Sequence, residues 1–192
     1  MNQSLMDPKV IVLAVVVLLV ISGLAWLYIR KRRTSSAGLR ERFGPEYAQA
    51  VRTHGSERKA EAKLADREKR VETLKLHELD PAERERFYAR WVSLQSRFVD
   101  SPKVAVTEAA ELVSSLMQAR GYPETEFDQG AADISVGYPK VVENYRSANA
   151  ILLRLGRGQA STEDLRSAMI YYRSLFEELV QVQTPLEIKA VA

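Results

Sequence analysis

The sequence predicts an all-α protein: one N-terminal transmembrane helix, a charged helical neck, then a four- to five-helix bundle. Three observations carry this prediction. Residues 10–29 are overwhelmingly apolar and hold no charge. Further on, apolar residues recur at three- and four-residue steps between boundaries rich in proline and glycine, as on the buried face of a helix. No stretch of strand length alternates with period two between hairpin signals, so no sheet is expected.

Eighteen of the twenty residues 10–29 are apolar, and only Ser22 and Gly23 interrupt them. Twenty helical residues cover about 30 Å, the thickness of a bilayer's hydrocarbon core, and a helix satisfies its own backbone hydrogen bonds in lipid. Trp26 and Tyr28 fall near the end of the run, where amphipathic rings favour the headgroup boundary. Arg30, Lys31, Arg32 and Arg33 follow directly, where a signal-peptide cleavage region is neutral and small, and no A-x-A site is present. The segment is therefore read as an uncleaved anchor. Only Lys9 precedes it, whereas the four cations, Arg40 and Arg42 follow, so the N-terminus is expected outside and the C-terminal domain in the cytoplasm.

The formal charge of +3 has a local origin. From Thr34 onward, 23 Lys+Arg face 24 Asp+Glu, a net charge of −1. A region so balanced has no general drive toward a phosphate backbone, and nucleic acid is not an expected partner. The four-cation cluster reads as a stop-transfer flank that meets the lipid bilayer, the first expected partner. The absence of Cys excludes disulfides, thiolate metal sites and a cysteine nucleophile, and His54 and His77 are the only histidines.

These features divide the chain into a short tail (1–9), the transmembrane helix (10–29), a basic flank and linker (30–38), the neck (39–79), the bundle (80–182) and a flexible tail (183–192). In the neck, Pro45 opens a helix that ends before His54-Gly55, and Ser56 is a candidate N-cap for the next. That second helix, to about Leu74, carries a narrow stripe of Ala60, Leu64, Val71 and Leu74, interrupted by Arg67. The spacing suits a contact within the chain, a self-associating coiled coil or a solvated spacer.

The bundle opens at Asp80-Pro81-Ala82-Glu83, which has the form of a capping box. Phe87, Tyr88, Trp91, Leu94, Phe98 and Val99 then form an apolar face. After Asp100-Ser101-Pro102, a second helix presents Val106, Ala109, Leu112, Val113, Leu116 and Met117, and Gly121 supplies a left-handed stop. A short helix over about 124–134 follows, Pro139 opens the next, which Gly156 closes, and Ser161 and Asp164 cap a long final helix.

Catalytic templates fail one by one. His77-Glu78-Leu79-Asp80-Pro81 lacks the second histidine of HExxH, and the loop from Gly156 to Thr162 lacks the Gly-Lys-Ser/Thr ending of a phosphate loop. No catalytic, cofactor-binding or metal-binding residue is nominated, and the protein is expected not to be an enzyme. Arginines and tyrosines gather instead near helix ends: Arg120, Tyr122, Tyr145, Arg146, Tyr171 and Arg173. Both residue types anchor interfaces, which makes these candidates for a partner-binding surface. Equally, the tyrosines can pack on the bundle while the arginines cap carbonyls or pair with acids.

Several phrases together, Leu39-Arg40-Glu41-Arg42-Phe43-Gly44-Pro45-Glu46-Tyr47, Arg97-Phe98-Val99-Asp100, Arg120-Gly121-Tyr122-Pro123, Val141-Val142-Glu143-Asn144-Tyr145-Arg146 and Ser161-Thr162-Glu163-Asp164-Leu165-Arg166, give a resemblance. The chain resembles an uncharacterised family of bacterial single-pass membrane proteins with a cytoplasmic helical domain. The resemblance implies a bacterial inner membrane and brings no activity, cofactor or catalytic residue. The expected function is a membrane-anchored, non-enzymatic interaction or scaffold module that binds a protein partner or itself. The alternative is a small-ligand or lipid sensor with a cavity near Trp91, Phe98, Tyr145 and Tyr172.

Overall fold

In a computed structural model the protein is described over residues 36–181. The transmembrane helix expected over residues 10–29, its expected flank of Trp26, Tyr28, Arg30, Lys31, Arg32 and Arg33, and the expected tail of residues 183–192 lie outside the described residues. Every regular element among the described residues is a helix, and none is long and apolar enough to cross a membrane. A helical stretch covers residues 36–43. Seven helices follow: α1 (Pro45–His54), α2 (Glu57–Glu72), α3 (Pro81–Asp100), α4 (Pro102–Ala119), α5 (Phe127–Gly137), α6 (Val142–Gly156) and α7 (Thr162–Gln181). Ser36, Ala37 and Gly38, expected in the linker, already belong to the first stretch, since the helix-favouring 39–43 segment extends back through them.

Local chemistry sets most boundaries. Gly44 turns the chain with φ +47° before Pro45, and Gly55 ends α1 in the left-handed region. Ser56 Oγ accepts from the Lys59 amide, and the Asp80 box is complete: Glu83 N donates to Asp80 Oδ1 at 2.7 Å and Asp80 N to Glu83 Oε2 at 3.2 Å. Asp80→Ala is expected to cost about 1 kcal/mol in urea unfolding, because it strips one partner from the exposed start of α3. Two predicted starts shift. Residues 124–126 stay outside any helix, so α5 begins at Phe127, and Pro139 lies in a turn ahead of α6.

The core of the bundle is built on α4 and α7, which pack on each other. α3 covers α4, α6 covers α7, and α5 packs on α6. Leu112, Val113, Leu116, Leu165, Leu175, Phe176 and Leu179 are fully or almost fully buried between them. Trp91 of α3 stacks on Phe176 of α7, with ring centroids 4.8 Å apart, and Tyr88 meets the same ring edge-on at 5.6 Å. Such aromatic pairs contribute about 0.5–1.5 kcal/mol beyond the area they bury.

One expected core residue is on the outside. Val99 is 82% exposed, because it stands seven residues after the exposed Val92 and so shares the outward face of α3. Val99→Lys is therefore expected to leave the thermal midpoint unchanged within what about 0.5 kcal/mol would move.

From Phe43 onward the neck does not stand apart from the bundle. Chain from Phe43 onward forms one compact unit that includes α1 and α2. α2 lies against both α1 and α5, and Ala60, Leu64 and Val71 are buried within this single chain. Of the readings open to the α2 stripe, the contact within the chain is the one observed.

Candidate functional site

The most concentrated polar chemistry lies where α1, α2, α5 and α6 meet. Glu46, in the first turn of α1 and flanked by buried Phe43 and Tyr47, is only 2% exposed. Arg146 of α6 grips its carboxylate with both terminal nitrogens, at 2.5 Å and 2.8 Å. Arg67 of α2 adds a third bond at 2.6 Å and also donates to Ser135 Oγ at 3.2 Å. Ser135 donates its own hydroxyl proton to the Ala132 carbonyl. One turn along α2, Arg70 Nε bonds both oxygens of the buried Asp133, at 2.9 and 3.2 Å, and Gln129 donates to the same carboxylate.

Burial alone pushes the Glu46 carboxyl up, but the hydrogen bonds and charges of Arg146 and then Arg67 outweigh it and hold the group below its usual 4.5. Burial likewise disfavours the Arg146 cation. Its bonds to Glu46, together with the negative charges of Glu143 on the same helix and Asp128 on α5, reverse that effect. Glu46 is therefore an ionised carboxylate with both oxygens occupied. It offers no proton near neutral pH and no open lone pair toward solvent, which makes the arrangement a clamp joining four helices. No group of three or more His, Asp or Glu among the described residues is placed to hold a metal ion.

The six arginines and tyrosines singled out in the sequence do not form one surface. Arg120 is buried, donating to the Leu179 carbonyl at 2.9 Å and to Tyr138 Oη at 3.4 Å, so it ties the end of α4 to the end of α7. Tyr122 is buried beside it, and burial pushes its hydroxyl well above the ordinary tyrosine value. Tyr145 is buried against Phe127 and Tyr172, and burial pushes it up to about 12. Arg146 belongs to the clamp. Tyr171 is half-buried against the core, and Arg173 is exposed, pairing with Glu177 at 2.6 Å.

The suggested cavity residues divide in the same way. Tyr145 and Tyr172 pack in the core, 6.3 Å apart, whereas Trp91 and Phe98 line an open groove between α3 and α7. The backbones of these two helices do not approach closely, and α4 is the neighbour they share. The groove holds about 210 Å³ and is lined by Trp91, Gln95 and Phe98 on one side and Arg166, Met169, Ile170 and Arg173 on the other. Its only charged lining residues are the two arginines. The Trp91 indole nitrogen is buried without a hydrogen-bond partner.

Sequence reasoning missed Glu46, Asp133 and Ser135 as buried polar residues. Arg67 was the available signal, since a cation in the middle of an apolar stripe needs a buried acid opposite it. Fold and site together define an all-helical domain locked by internal ion pairs and carrying an open apolar groove. Comparison with protein-family models, curated proteins and solved structures finds no match to this chain.

Proposed function

We propose that this protein is a membrane-anchored, non-enzymatic interaction module of the bacterial inner membrane. The anchor is the apolar segment of residues 10–29, with Arg30, Lys31, Arg32 and Arg33 against the cytoplasmic headgroups and the helical domain in the cytoplasm. The observation that carries the reading is a contrast between interior and surface. The domain commits its buried charges to internal clamps, while Val92, Val99 and Ile170 stay outside on the two helices that flank the groove. A stiff body with an uncovered apolar face suits binding better than chemistry.

Two measurements test this reading. The full chain should remain with membranes after an alkaline wash, and a reporter fused after Ala192 should be active only in the cytoplasm; activity confined to the outer compartment overturns the orientation. Crosslinking in cells should give a discrete adduct with a protein partner or a second copy. A chain that crosslinks to neither counts against an interaction module.

A further inference from the structure

We infer that the groove between α3 and α7 is the docking site for an acidic amphipathic helix of a partner protein. This inference rests on the interaction reading above and names the surface and the chemistry of what it binds. The groove floor is apolar, with Trp91 and Phe98 facing Met169 across it. The apolar character continues outward onto both walls. Val92 and Val99, 61% and 82% exposed, follow Gln95 around α3, and Ile170, 60% exposed, forms the lip on α7. Positions 92, 95 and 99 on α3 and 166, 169, 170 and 173 on α7 fall at the three- and four-residue steps that a helix laid along a groove contacts.

Size and charge select the occupant. A space of about 210 Å³ accommodates one or two large side chains, the anchors of a docked helix, rather than a long-chain lipid. The lining carries positive charge alone, Arg166 and Arg173 standing seven residues apart on the same rim. Their partners, Glu163 at 2.9 Å and Glu177 at 2.6 Å, are neighbours on the same helix, in the exposed kind of pair that exchanges readily for an incoming carboxylate. Acids on the flank of the docking helix, about two turns apart, would meet both arginines. Two copies docked groove to groove would set these arginines against each other about a two-fold axis, so that symmetric self-docking is disfavoured.

The test uses the full chain in nanodiscs of zwitterionic lipid and a fluorescent synthetic helical peptide with Leu and Phe on one face and Glu on the flanks. A twin peptide carries Lys in place of Glu. Fluorescence anisotropy should show saturable binding of the acidic peptide and at least about tenfold weaker binding of the twin, with affinity falling as salt is added. Ile170→Asp, and separately the pair Arg166→Glu with Arg173→Glu, should each weaken binding by about tenfold while the helical circular dichroism stays unchanged. Equal binding of both peptides, binding that survives Ile170→Asp, or no binding of the acidic peptide overturns the inference. If these peptides fail while crosslinking in cells still yields a partner adduct, the interaction reading stands and the groove is not its site.

Discussion

Glu46→Ala should lower the stability of the domain by about 3–5 kcal/mol in urea unfolding, the range for removing one member of a buried ion pair. The loss is large because Arg67 and Arg146 are left facing each other with no anion between them. Removing the charge problem altogether separates this from simple loss of contact. In the triple variant E46L/R67M/R146L, apolar side chains of similar reach fill the same space, and most of the loss should be recovered. The clamp also predicts an acid limb. Because the folded carboxyl lies below the unfolded one, its stabilisation is complete above about pH 4.5 and is lost as the pH falls through the folded value. Glu46→Gln should flatten that part of the stability profile, and an acid limb identical in both proteins would contradict the assignment.

Gly121→Ala should be nearly as damaging, and for a different reason. Gly121 sits at φ +92° after α4, and a Cβ there would collide with the Lys75 backbone carbonyl oxygen and press on the His77 ring. The non-helical segment 75–80 runs directly past this corner, where His77 N donates to the Arg120 carbonyl at 3.1 Å. Gly55 is the matched control, with φ +73° and open space around its missing Cβ. Gly55→Ala should cost about 1 kcal/mol, the conformational term alone, whereas Gly121→Ala should cost about 3 kcal/mol, since the backbone of segment 75–80 must also move. Thermal midpoints of the two variants side by side decide the matter; equal shifts would mean that segment 75–80 yields without strain.

Residues whose signals are local were legible in the sequence. The Asp80 box, the Ser56 and Ser161 caps, and the Gly55 and Gly121 stops each depend on a few neighbours, and each stands where the pattern placed it. The five helices of the bundle follow from the same local rules together with apolar periodicity. What depends on distant partners was not legible. Glu46 looked like any acid in a first helical turn, because Arg146 lies a hundred positions away. For Arg120 and Tyr122 the sequence left two readings, an interface or inward packing with carbonyl capping, and only the fold decides for the second, with Arg120 bonded to Leu179 and Tyr138. Asp133 and Ser135 escaped notice because α5 is buried around most of its circumference, so no polar face marks its outside. The groove was half legible: Trp91 and Phe98 were singled out, but the spacing of α3 from α7 is a property of packing.

The hundred-residue span of the Glu46–Arg146 contact has a consequence in time. Neighbouring pairs such as α1 with α2, α3 with α4, or α6 with α7 close short loops and can form early, with Arg67 already beside Glu46, whereas the grip of Arg146 on that acid must await the sixth helix. Closure of the Arg146 half of the clamp is therefore expected late in folding. In stopped-flow experiments, Glu46→Ala should accelerate unfolding far more than it slows refolding. The bond of Arg146 to the first helix is thus the part of the clamp expected to close last, and its release the event expected to limit how long the finished domain endures.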